Sequence, residues 1–192
     1  MAKLVTGRAG RQQRREERLE QYAAELAPLL LKQLKLTPNA RVMHLGSPGA
    51  IAIGQAVAPT FESGELLIVV YSYDEMEDAR AALAGLGNVE VINDIEDLDP
   101  DEQPFDIVTC IAPYQHGRDY VEELLTLGLR LLATGGTLFL AGDRQQGFER
   151  YVEMLGSAGS RVTPLAQNGQ YRVVAAAKPV GGGGLRRRSG SA

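Results

Sequence analysis

Four short stretches hold the residue types and spacings that could do chemistry. The first is Val42-Met43-His44-Leu45-Gly46-Ser47-Pro48-Gly49-Ala50. An apolar run leads into a glycine turn that carries an imidazole and a hydroxyl. Gly46 and Gly49 let the backbone approach a ligand, and the following helix start offers free N–H groups. Pro48 removes one N–H and fixes one φ angle. The spacing Gly46-x-x-Gly49-x-x-x-x-Gly54 is not G-x-G-x-x-G, and no Gly-Lys-Ser/Thr follows, so a dinucleotide site and a P-loop are both disfavoured. His44, inside the strand, is either a hydrogen-bonded core or rim imidazole or a general base. The second stretch places Asp74 just after Ile68-Val69-Val70-Tyr71-Ser72-Tyr73. The third places Asp94 and Ile95 just after Val89-Glu90-Val91-Ile92-Asn93. The fourth, Phe105 to Asp119, carries Cys110, Tyr114 and His116. Cys110 ends an apolar run and reads as a buried small hydrophobe rather than a nucleophile. A tyrosine and a histidine at a strand end can stack on a base and hydrogen-bond it. The alternative is a loop tyrosine packed on the next helix beside an exposed histidine. Asp143 and Arg144, after the fifth strand, either touch a ligand at the same edge or pair with each other.

Those residues meet only if their elements bring them to one edge. Residues 40–46, 64–73, 88–94, 105–112 and 137–142 read as strands, and helical spacing follows most of them. Asp74 is a candidate N-cap for the helix after the second strand. The segment from Gly117 reads as a long helix ending at Gly135-Gly136. Residues 161–167 and 171–178 read as a last pair of strands, joined around Asn168-Gly169. Strands alternating with helices predict a three-layer, doubly wound α/β sheet, mostly parallel, with an antiparallel C-terminal hairpin strand. In such a sheet the ligand edge is the carboxyl end of the strands at the topological switch point. Four regions follow: a basic, flexible stretch 1–14, an amphipathic helical segment 15–36, the α/β domain 37–180, and a Gly/Arg tail 181–192.

The chain has 192 residues and a formal net charge of -4. Lys3, Arg8, Arg11, Arg14, Arg15 and Arg18 outnumber Glu16 and Glu17 at one end, and Arg186, Arg187 and Arg188 lie at the other. The body between is acidic. Basic ends on an acidic body either meet nucleic acid or an acidic partner, or are simply solvated. A single cysteine excludes an internal disulfide and fits a reducing cytoplasm. Two histidines and one cysteine leave little for a transition-metal site. The basic N-terminus has no apolar signal region, and no apolar run is long enough to span a membrane.

From Asn39 to Lys178 the chain resembles class I S-adenosylmethionine-dependent methyltransferases, most closely the small-domain group that includes ribosomal RNA guanine-N2 methyltransferases. Residues 41–58 resemble the family's first motif, a strand, Asp-Leu-Gly-Cys-Gly-x-Gly and a helix. Residues 88–98 resemble the third, and 105–119 the fourth, commonly Asn-Pro-Pro-Phe/Tyr. Residues 129–142 resemble the glycine turn and fifth strand. The resemblance implies the cofactor S-adenosylmethionine, with its methionine end near His44, Gly46, Ser47 and Gly49. Asp74 would stand in for a ribose-binding acid, and Asp94 and Ile95 would meet the adenine beside Cys110. Tyr114 and His116 would meet the substrate, with RNA the implied class. The departures are specific. His44 replaces the first-motif acid, Asp74 lies about four residues beyond the expected Val70, and Ile111-Ala112 replaces the start of the Asn-Pro-Pro motif. Isoleucine cannot accept the hydrogen bond that orients an amine for methylation. Three readings follow: a methyltransferase with weakened catalysis, a silent methyltransferase fold serving as a binding or assembly subunit through its N-terminal helix and basic tails, or a doubly wound enzyme for another nucleotide or small molecule.

Overall fold

The structure, a computed structural model, describes residues 6–98 and 103–178. Seven strands form one sheet in the order β3-β2-β1-β4-β5-β7-β6. They are β1 (Arg41–Leu45), β2 (Glu65–Val69), β3 (Val89–Ile92), β4 (Phe105–Ile111), β5 (Leu132–Asp143), β6 (Arg161–Asn168) and β7 (Tyr171–Ala177). The first five run parallel, and β7 lies antiparallel between β5 and β6. The doubly wound sheet with its antiparallel hairpin strand is therefore as the alternation predicts. The strand order reverses between β1 and β4, which opens a crevice above their carboxyl ends.

Five helices cover the two faces: α1 (Thr6–Leu31), α2 (Ala50–Val57), α3 (Tyr73–Ala82), α4 (Arg118–Leu131) and α5 (Phe148–Ser157). β1 is buried on both sides, and its side chains alternate between two cores. Val42 belongs to the core under α1, α2 and α3, where Leu26, Leu30, Ile53 and Leu83 are buried. Met43 and Leu45 belong to the core under α4 and α5, with Leu124, Leu125, Phe148 and Leu155. Helix α1 buries Tyr22, Leu26, Ala27 and Leu30, residues spaced to share one face, and its earlier turns are mostly exposed.

Three local features differ from the sequence reading. Helix α1 begins at Thr6 rather than near Arg15. Its first turns carry hydrogen-bonded pairs four residues apart, Gln12 with Glu16 and Gln13 with Glu17. Ser72, not Asp74, caps α3. The Ser72 hydroxyl accepts from the Glu75 N–H while the Glu75 carboxylate accepts from the Ser72 N–H. Helix α4 stops at Leu131 without a glycine cap, and β5 starts at once at Leu132. Leu132 is buried and pairs with Phe105, so its burial against β4 ends the helix ahead of the glycines. The Gly/Arg tail 181–192 lies outside the described residues.

Candidate functional site

His44 sits on the α1–α3 side of the sheet, directly opposite Thr109 of β4. It is fully buried. Its Nε2 lies 3.0 Å from the Pro48 carbonyl and its Nδ1 2.8 Å from Thr109 Oγ1. A carbonyl only accepts, so Nε2 carries the proton and Nδ1 accepts from the threonine hydroxyl. Burial lowers the His44 pKa to about 4, against the opposing pull of the Pro48 bond. The imidazole is therefore a neutral strut that ties the glycine turn down to β4. It faces the interior and not the crevice. Gly46 and Gly49 have φ of 92° and 73°, which side chains rarely tolerate. A Cβ on Gly49 would lie 2.5 Å from Ile111 Cδ1, and one on Gly46 would lie 3.2 Å from Pro113 Cγ. The glycines thus let the turn pack onto the loop after β4.

Above that turn a carboxylate collects four donors. Glu75 folds back from the first turn of α3 to the end of β2. Its Oε2 accepts from the N–H of Tyr71 at 2.9 Å and of Ser72 at 3.3 Å. Its Oε1 accepts from Ser47 Oγ at 2.9 Å and lies 2.7 Å from His116 Nε2. Burial would raise the Glu75 pKa, but the bonds from His116, the Tyr71 N–H and Ser47 outweigh it, and the net shift is downward. The loops after β1, β2 and β4 are joined through this one group. The Tyr71 ring stacks on the His116 imidazole with centroids 4.0 Å apart, and Tyr120 meets Tyr71 edge-on. Gln115 Nε2 reaches Ser47 Oγ at 3.4 Å.

The structure thus brings Gly46, Ser47, Gly49 and His116 together with Tyr71 and adds Glu75, Gln115 and Tyr120, which the sequence reading did not select. The pattern Ser72-x-x-Glu75 is a capping-box signal, and it was the available clue to Glu75. Asp74, in the exposed first turn of α3, takes no part in this cluster. Asp94 caps the short 3-10 turn Ile95–Asp97 by accepting from the Glu96 N–H. Ile95 is half-buried against the α4–α5 core. Cys110 is wholly buried in that core, and burial pushes its thiol up to about 12. Tyr114 turns to the other side of the crevice, where its hydroxyl bonds the Asp143 backbone at 3.2 and 3.1 Å.

A hollow of about 940 Å³ opens before the cluster, walled by Ser47, Gly49, Glu75 and His116 and by Arg8, Arg11 and Arg15 of α1. Two buried polar atoms, Gln115 Oε1 and Tyr120 Oη, have no hydrogen-bond partner among the described residues. Buried polar atoms normally find partners, so these two fit a polar ligand or ordered water at this edge. A carboxylate at the end of β2 and a hydroxyl in the turn after β1 suit a nucleoside with vicinal hydroxyls. The residues fit an adenosyl cofactor on those counts. The loop after β4 is less suited to orienting an amine. Ile111 and Ala112 are buried, and the Ala112 carbonyl already accepts from Tyr22 Oη at 2.9 Å and from the Tyr114 N–H.

A sheet of this order, with a glycine turn at its switch point, defines the class I S-adenosylmethionine-dependent methyltransferase fold. Residues 25–175 match the methyltransferase small domain, and the chain belongs to that family. Among solved structures, the 16S rRNA N2 methyltransferase RsmC of T. thermophilus, in complex with AdoMet and guanosine, is 25% identical with a TM-score of 0.63. The match covers 81% of this chain and 39% of that one, so this chain spans well under half of RsmC. A ribosomal protein L11 methylase from Lactobacillus delbrueckii subsp. bulgaricus is 18% identical, with TM-score 0.64 and coverage of 82% and 79%. The fibrillarin pre-rRNA processing protein of Methanococcus jannaschii is 17% identical, with TM-score 0.61 and coverage of 77% and 71%. These last two likenesses concern the fold alone. Curated proteins gave no match. No helix among the described residues is long and apolar enough to cross a membrane.

Proposed function

We propose that this protein binds S-adenosylmethionine over the turn after β1 and acts on cytoplasmic RNA, with amine methylation slowed by the composition of its fourth motif. The observation that carries this reading is the Glu75 carboxylate. It supplies at the end of β2 the acid that the strand itself lacks, held by the N–H groups of Tyr71 and Ser72. When bound, the cofactor supplies a methyl group on a sulfonium. Around it, Glu75 would accept from ribose hydroxyls, exchanging its bonds from Ser47 and His116 for bonds from the ligand. Tyr71 offers a ring for stacking, and Gln115 Oε1 and Tyr120 Oη are free to bond. Methyl transfer is driven mainly by positioning and electrostatics, so the absence of a general base does not forbid it. Positioning is where this site is weak. No side-chain acceptor stands at Ile111 or Ala112 to orient an amine lone pair.

RNA as the substrate is supported by RsmC and by the arginines of α1 beside the hollow. Transfer of labelled methyl to RNA, run with and without Ile111→Asn, tests the proposal. Slow transfer by the natural chain, tied to Glu75, supports it. Rapid transfer unaffected by Glu75→Ala would overturn it. The second reading, a silent binding subunit, is favoured by the occupied Ala112 carbonyl. It predicts cofactor binding or partner capture with no transfer at all.

A further inference from the structure

Glu75 uses its two oxygens differently. Among the described residues, Oε2 accepts from backbone N–H groups, those of Tyr71 and Ser72, which anchor the carboxylate to the start of α3. Oε1 accepts from side chains, Ser47 Oγ at 2.9 Å and His116 Nε2 at 2.7 Å, and rotation about χ1 can release either. The same imidazole covers the Tyr71 ring, 18° from parallel, and Tyr120 meets its edge at 5.6 Å between centroids. One histidine thus takes both things that this edge offers a nucleoside, an anionic acceptor and an aromatic face. It sits on the short turn Tyr114–His116, and the next residue, Gly117, has φ of 88°. Nothing lies within 4 Å of the place where a Cβ on Gly117 would stand. The loop after β4 is therefore open at Gly117, unlike the tightly packed turn at Gly46 and Gly49.

We propose that His116 is a latch, closed on Glu75 in the ligand-free protein, that must swing out before an adenosyl ligand can bind. The proposal rests on the cofactor reading above and adds its regulation. Imidazole and ribose hydroxyls compete for the same Oε1 lone pairs. A protein that is competent for only part of the time binds more weakly by that fraction, so a latch closed in about nine-tenths of molecules weakens binding about tenfold. Protonation of His116 turns the contact into a charge-assisted ion pair, and acid therefore holds the latch shut. The donors around Glu75 keep it ionised, and burial pushes the Tyr120 hydroxyl up, so that it stays neutral. Asp78 of α3 and Arg8, Arg11, Arg15, Glu16 and Glu20 of α1 are the other charged groups around the hollow. At the start of α4, Arg118 is held by Glu122, and Asp119 is exposed.

Calorimetric titration of S-adenosylhomocysteine into the full chain and its His116→Ala variant tests the latch. The variant should bind about tenfold more tightly, because the competitor is gone. Affinity of the natural chain should rise from pH 5.5 to pH 8, and the variant's profile should be flat, which separates His116 from the other charged groups. Proton NMR of the natural chain gives a second readout that needs no variant. The chain has two histidines, and His44 is buried, so the His116 ring signals stand apart. They should lie upfield under the Tyr71 ring and move towards the free-histidine position as ligand is added. Equal or weaker binding by His116→Ala, a pH profile shared by both proteins, or ring signals that ligand leaves in place would each overturn the latch and leave the cofactor site standing. Binding by the variant alone would support both. Absence of binding in both proteins would overturn the cofactor reading, and the latch with it.

Discussion

His44 and Glu75 both have lowered pKa values, yet for opposite physical reasons. Burial strips water from the imidazolium and leaves His44 neutral, whereas four donors hold Glu75 ionised. Lowered folded values mean that the unfolded chain takes up protons first as the pH falls, so stability declines with acidity in both cases. For His44 the decline should run from about 6.5 down to about 4. Its full size is on the order of 3 kcal/mol, and Glu75 adds a further loss that begins as the pH falls through the ordinary carboxylate range. Urea unfolding at pH 8, 6.5, 5 and 4 checks this. His44→Asn should be less stable at neutral pH, because Thr109 and Pro48 lose a partner, and should lose the slope above pH 4. A slope identical in wild type and variant would contradict the buried-strut role. Glu75→Gln retains a capping-box residue at its position, so its fold should persist while its charge is gone.

At the scale of elements, the turn after β1 works as a wedge. Gly49→Ala combines φ near +73° with a 2.5 Å approach to Ile111 Cδ1. The cost should be about 1–3 kcal/mol, by thermal or urea unfolding. Adding Ile111→Val should recover part of it, since the clash is relieved and the backbone strain is not. Ser72→Ala should cost about 1 kcal/mol and loosen Glu75 with it. Strand positions and the closing hairpin were legible in the sequence, because buried parallel strands read as unbroken apolar runs and Asn168-Gly169 marks a turn. The junction of α4 and β5 was not. Gly135-Gly136 is a strong local stop signal, and only the pairing of Leu132 with Phe105 across the sheet overrides it. Glu75 was legible through Ser72-x-x-Glu75, but its convergence with Ser47 and His116 joins residues far apart in the chain. Asp74, Asp94 and Cys110 were singled out by likeness to motif positions, which says nothing about where their side chains point.

For the whole molecule, α1 has two halves with different duties. Tyr22, Leu26 and Leu30 seal the sheet, while Arg8, Arg11, Arg15 and Arg18 stand over the crevice. Deleting residues 1–14 should leave the melting temperature nearly unchanged, because the buried face is retained. RNA affinity should fall and depend less steeply on salt, by about one unit of slope for each phosphate that an arginine no longer neutralises. Fluorescence anisotropy with a short RNA across a salt series measures this, and an unchanged slope would remove α1 from the RNA surface. The most direct single measurement is calorimetric titration of S-adenosylhomocysteine into the full chain and its Glu75→Gln variant. Saturable binding is expected for the natural chain, with a loss of roughly tenfold or more in the variant, as suits one charged hydrogen-bonding group of about 1.5–3 kcal/mol. An absence of binding at millimolar ligand, or equal affinity in both proteins, would contradict a cofactor site built on Glu75.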